Sequence, residues 1–255
     1  MGVLTGRTAL VTGASRGIGR GIAERLAADG ALVAVNYARN EVAAKETVAA
    51  IEAAGGRAFA VHAALGTEGD VEALFTGLDR GLREHGAGPE LDILVNNAGI
   101  SPGGSLAETT EEQYDEVFAV NVRSLFFLTQ RALPRLRDGG RIINITSGVV
   151  RIAFPEKISY AMSKGAVDVF TKALAKELGP RGITVNNVAP GYVDTDINAD
   201  WLRGNPEAEA FAAGEAALNR VGQPDDIAAA VAFLASEDGR WVTGTTLDAT
   251  GGARL

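Results

Sequence analysis

The chain has 255 residues, 46% of them hydrophobic, with no cysteine, two histidines and a formal charge of −8. That length can bury one large core, while the missing cysteines exclude a disulfide framework and a thiolate nucleophile, and His62 and His85 alone cannot build a histidine-rich metal site. The acidic balance argues against nucleic acid and anionic membrane surfaces; no stretch has the roughly 18 apolar residues of a membrane span, and residues 1–5 lack a signal-peptide pattern, so a cytoplasmic protein is expected.

In chain order, an apolar β-rich run at 8–12 leads into Gly13, Ala14, Ser15, Arg16, Gly17, Ile18 and Gly19, and then into a helical stretch at 20–28. Strand, glycine turn and helix in this order form a dinucleotide site: the glycines let backbone approach a pyrophosphate, and the helix N-terminus offers unpaired N–H groups to hold it. A second strand at 32–37 follows. An NAD site usually carries a carboxylate near its end for the ribose diol, but residues 31–40 contain no acid, and Asn36 stands where one is expected. Arg16 and Arg39 flank the same place, and two guanidiniums suit a 2′-phosphate, so NADP(H) is favoured over NAD(H).

Further strands are expected at 58–63, 93–96, 141–145, 184–188 and 245–248, with a surface loop at 81–89 and helices in the other intervals. Alternation of short β-branched runs with alanine-rich segments predicts an α/β fold: one doubly wound domain over 1–255, with a seven-stranded parallel sheet flanked by helices. Asn144, Ile145 and Thr146 match a glycosylation acceptor but sit in an apolar run that reads as a buried strand. Residues 194–220 carry Trp201, Phe211 and several acids, and read as a helical lid over a substrate.

Between the fifth strand and a helix at 158–178 stand Ser147, Tyr160 and Lys164. Tyrosine and lysine four apart share a helix face, which places an ammonium near a phenol and favours its phenolate. Together the three groups can handle one proton.

With Asn96, Asn97, Ala98, Gly99, then Asn121, then Ser147, Tyr160 and Lys164, then Pro190, Gly191, Tyr192, Val193, Asp194 and Thr195, the chain resembles the short-chain dehydrogenase/reductase family over about residues 4–252, and within it the 3-oxoacyl-[acyl-carrier-protein] reductases. The resemblance implies that Tyr160 is the general acid or base and that Ser147 binds the substrate oxygen. It implies that Lys164 lowers the tyrosine pKa and holds the nicotinamide ribose, and that Asn121 anchors a proton-relay water. Gly13, Ser15, Arg16, Gly17, Ile18, Gly19, Arg39, Asn96, Ala98, Gly99, Pro190, Gly191, Val193 and Thr195 would then line the cofactor cleft, with the last two at the carboxamide. The implied reaction is hydride transfer from NADPH to a ketone. The same site would serve an alcohol oxidation, and the same fold a dinucleotide-binding regulator without chemistry.

Two departures bear on that resemblance. Where many relatives place an aspartate for the adenine amine, this chain has Ala64 and Leu65. Where carrier-protein reductases place two arginines near the active-site mouth, it has Phe127 and Arg181, which with the overall charge makes acyl carrier protein docking doubtful. Val149, Val150, Phe154, Tyr192, Trp201 and Phe211 are candidate walls of a mostly apolar pocket for a moderate-sized ketone. By resemblance the amphipathic stretches 122–136 and 167–178 pair across a homotetramer.

Overall fold

The computed structural model describes residues 2–255. Seven strands form one parallel sheet: β1 (Thr8–Val11), β2 (Leu32–Tyr37), β3 (Arg57–His62), β4 (Leu91–Asn96), β5 (Leu136–Ile145), β6 (Thr184–Pro190) and β7 (Thr246–Ala249), in the order β3-β2-β1-β4-β5-β6-β7. Alternate side chains feed two cores. Ala9, Val11, Val33, Val35, Ile93 and Val95 pack with helices α1 (Gly17–Ala28) and α9 (Pro224–Ala235). Leu10, Ala34 and Leu94 pack on the other face with α3 (Asp70–Glu84), α5 (Leu125–Ala132) and α6 (Ile158–Leu178). Burial on both faces is why these strands read as continuous apolar runs.

Strand order reverses between β1 and β4, so the loops leaving their carboxyl ends diverge and open a crevice, the usual ligand position in an open α/β sheet. α2 (Glu41–Ala53) completes the β2–β3 crossover, and α4 (Glu111–Phe118) precedes a six-residue π-helical turn, Ala119–Ser124, that runs into α5. Among the described residues no helix is long and apolar enough to cross a membrane.

Several boundaries differ from expectation. The loop expected at 81–89 shrinks because α3 continues to Glu84. Gly81 lies inside that helix, where a Cβ would stand 2.1 Å from the Phe59 ring, so it is a packing glycine. The helix expected at 122–136 stops at Ala132, and Leu136 already pairs with Leu91 as the start of β5. α1 begins at Gly17 itself. Within 194–220 two short helices form, α7 (Ala199–Leu202) and α8 (Pro206–Gly214).

Candidate active site

The carboxyl ends of β1, β4, β5 and β6 bring the sequence-predicted residues to one edge of the sheet. Gly13 turns the chain out of β1 with φ +61°, a left-handed conformation that side chains resist. Gly19 allows close approach, since a Cβ there would stand 2.3 Å from the Gly13 carbonyl oxygen. Arg16 is the N-cap of α1 but makes no side-chain cap, and the first turn carries no acid. The leading N–H groups of the helix are thus left for an anion. Ser15 and Ile18 belong to the same cradle: the Ser15 carbonyl accepts from Thr47 Oγ1 at 3.2 Å, and Ile18 packs on the core beneath. These features fit the pyrophosphate of a dinucleotide.

Three polar residues fix this turn, and sequence reasoning assigned none of them that task. The Thr12 hydroxyl accepts from the backbone N–H of Asn97 at 2.9 Å and of Ala98 at 3.0 Å. The Asn97 amide donates to the Thr12 carbonyl at 2.8 Å. Asn36, 1% exposed, accepts from Gly13 N–H at 3.1 Å and donates to the carbonyls of Val61 and Ala63, each at 3.2 Å. It therefore clamps the turn to β2 and β3. Asn96 donates to Thr129 and Asn144 across the buried sheet face, which also places Asn144 out of reach of glycosylation.

Ser147 caps the turn after β5, its hydroxyl accepting from Val149 N–H at 3.3 Å and lying beside the Tyr160 phenol, where it favours ionisation. Burial opposes this and dominates: Tyr160 titrates above its ordinary 10.0. Lys164, 5% exposed, donates to the Ile145 carbonyl at 2.8 Å, and its Nζ sits 5.7 Å from the Tyr160 ring centroid. Desolvation pulls its ammonium down to about 8. The ammonium is held by a backbone carbonyl over the ring face, and burial, opposed by the Ser147 hydroxyl, sets the direction of the Tyr160 shift.

Asn121 lies in the π-helical turn, a feature frequent at functional sites. Its amide accepts from Ile100 N–H at 2.9 Å and donates to the Ile100 carbonyl at 2.9 Å and to Ser163 Oγ at 3.0 Å. Both amide hydrogens are committed, so the side chain braces the loop carrying Gly99, which lies against Asn121 and Lys164.

Pro190 ends β6, and Gly191 leads on to buried Val193 and Thr195, with the Thr195 methyl near Gly17. Arg16 pairs with Asp196 at 3.7 Å, and Asp196 with Arg203 at 3.1 Å, linking the glycine turn to residues 194–220. Arg39 is exposed and makes no ion pair among the described residues. Tyr192 sits at the centre of an aromatic box, with ring centroids 6.4 Å from Phe154, 5.5 Å from Trp201 and 6.3 Å from Phe211. Val149 and Val150 lie in the turn after Ser147.

Arg181 is not near this mouth. It precedes β6, at the opposite edge of the sheet, and its guanidinium ties Asp138 at 2.8 Å and the Leu133 carbonyl at 3.0 Å. Phe127 is 43% exposed on α5, with Arg123 over its ring. A cavity of about 540 Å³ among α1, α2 and α9 holds none of the candidate residues.

The family model described as enoyl-(acyl carrier protein) reductase matches residues 13–254. The promiscuous reductase LugOII, which catalyses keto-reduction at C1 during lugdunomycin biosynthesis, superposes with a TM-score of 0.96 at 52% identity over 99% of each chain. The angucycline C-6 ketoreductase LanV, solved with bound NADP, gives 0.94 at 51% identity over 98% of this chain and 96% of its own. A hydroxynaphthalene reductase-like protein, Arp2 of Metarhizium brunneum, is 43% identical over 98% of this chain and 96% of its own. With the glycine cradle, the Ser147, Tyr160 and Lys164 cluster and these full-length similarities in agreement, the chain belongs to the short-chain dehydrogenase/reductase family of oxidoreductases.

Proposed function

We propose that this protein is an NADPH-dependent ketoreductase acting on planar, fused-ring ketones. The observation that carries it is the cluster at the carboxyl end of the sheet, where the Ser147 hydroxyl lies beside the Tyr160 phenol and the Lys164 ammonium sits over its ring; a phenol, protonated at neutral pH and pushed further that way by burial, is the proton donor a nascent alkoxide requires. When bound, the nicotinamide supplies the hydride. The chain's own part is then electrostatic and positional: Ser147 donates to the developing oxyanion beside Tyr160, and the phenol proton follows. Lys164, against Gly99 and the Tyr160 ring, holds the ribose, and the uncapped start of α1 holds the pyrophosphate. Arg16 and Arg39 receive the 2′-phosphate. NADP bound to LanV supports that cofactor.

The fused-ring substrate rests on the aromatic box, which offers ring faces and edges to a flat ligand, and on relatives whose names specify an angucycline and a hydroxynaphthalene. Arg181, locked at the other edge of the sheet, speaks against carrier docking by the expected pair. Exposed Phe126, Phe127, Met162 and Val169 on α5 and α6 support assembly of a homotetramer through those helices.

Consumption of NADPH and NADH with tetralones, a simple aliphatic ketone, and a 3-oxoacyl thioester, free and carrier-linked, tests the proposal. Turnover of tetralones with NADPH, and an NADPH KM raised about tenfold or more by Arg16→Ala with the NADH value little moved, is expected. Turnover confined to the carrier-linked thioester would overturn it.

A further inference from the structure

Beside the aromatic box lies a charge that sequence analysis did not single out. Residues 251–253 fold back against residues 216–218: Ala217 and Leu218 N–H donate to the carbonyls of Gly252 and Gly251, and Ala253 bridges to Ala216. Arg151 holds this segment from the other side, donating to the carbonyls of Ala253 at 2.8 Å and Arg254 at 3.4 Å. Arg254 itself has φ +51°, a left-handed backbone unusual for a residue other than glycine. Such conformations persist where the surroundings over-determine them, and they cluster at ligand clamps.

The bend sets the guanidinium Cζ 5.3 Å from the Phe154 ring centroid, on the wall of the box. Arg254 Nε donates to the Glu215 carboxylate, just past α8. Among the described residues its two terminal amino groups make no hydrogen bond, and the side chain is 44% exposed. A guanidinium stays charged and offers its donors in a planar fork suited to an anionic oxygen. Burial is the main cause that pushes the Tyr192 phenol at the centre of the box upward, and both charges are close enough to act on it as well, Glu215 in the same direction and Arg254 against it.

We propose that Arg254 determines specificity by receiving an anionic oxygen of the substrate, a phenolate or a carboxylate borne away from the reacting carbonyl, while the ring system lies against Phe154 and Tyr192. Glu215 holds the fork in place when no such oxygen is present. This inference rests on the fused-ring reading above.

The test compares kcat/KM for carboxytetralone against its methyl ester at neutral pH, and for hydroxytetralone against methoxytetralone across the ionisation of the phenol. For the wild type the acidic member should be preferred in at least one pair, and that pair identifies the source of the oxygen. Arg254→Met should lower the acid-to-neutral ratio about tenfold or more, and Arg254→Lys should restore part of it. Glu215→Gln, which frees the fork, should raise the ratio a few-fold. In the phenol pair, any fall in wild-type KM as the hydroxyl ionises should vanish in Arg254→Met, a dependence that a purely structural arginine would not create. NADPH binding followed by nicotinamide fluorescence checks that the variants fold. If the wild type reduces both members of each pair without preference, or if the ratio is unmoved in Arg254→Met, the assignment to Arg254 fails and the ketoreductase reading stands; if no tetralone is reduced, both fall.

Discussion

Replacing Lys164 by methionine should stabilise the cofactor-free protein while abolishing its response to NADPH. Lys164 is 5% exposed and its ammonium titrates at about 8 instead of 10.5 because burial strips its water. At about 1.4 kcal/mol for each pH unit, holding that charge in the fold at neutral pH costs about 3 kcal/mol. Methionine has similar length and no charge, but leaves the Ile145 carbonyl without its 2.8 Å donor, a loss of about 1–2 kcal/mol. The balance is a gain of about 1–2 kcal/mol, or roughly 2–8 °C in Tm. The sign with pH follows from the depressed pKa: the cost is fully present below about 8 and is relieved as pH rises toward 10.5, so the wild type should close the gap between those limits. Thermal melts of both proteins at several pH values, with and without NADPH, measure every part of this. A variant less stable than the wild type at neutral pH, or one that NADPH stabilises as strongly, would show that the buried ammonium is not kept for the cofactor.

Tyr160→Phe should keep NADPH affinity and lower kcat by about two to four orders of magnitude; near-normal turnover would remove Tyr160 from proton transfer. In the wild type, kcat for reduction should stay flat through neutral pH and fall only above the ordinary tyrosine value of 10.0, since the acid form is required and burial raises its pKa. The KM for NADPH should begin to rise earlier, near 8, where the Lys164 ammonium is lost in the free protein, and coincident profiles would contradict this separation. Asn36→Asp, which supplies the carboxylate common in NAD sites, should not create NADH preference. It should cost about 3–5 kcal/mol in urea melts, because a buried anion would face the Val61 and Ala63 carbonyls; a stable, NADH-preferring variant would refute this role for Asn36.

The alternation of apolar runs foretold seven parallel strands because two-sided burial leaves a local signature, and the glycine turn was legible because backbone shape and helix polarity are set within a few residues. The spacing of Tyr160 and Lys164 likewise follows from helix geometry alone. Where packing decides, spacing along the chain is silent: Gly81 resembles a loop breaker until Phe59 fills the space of its side chain, and only the fold shows that Arg181 stands before β6, tied to Asp138.

What the residues determined by themselves is the inventory of chemistry and its placement on elements: a nucleotide cradle on the first turn, and a hydroxyl, a phenol and an ammonium around one helix. What only the tertiary structure decided is the state of those groups. Lys164 is desolvated against the Ile145 carbonyl, burial pushes the Tyr160 phenol above its ordinary range, Asn36 becomes a clamp, and Arg254 meets Phe154 a hundred positions away in the chain. A pKa and a hydrogen-bond partner depend on the dielectric and donors that the fold gathers within a few ångströms, and no spacing along the chain specifies them.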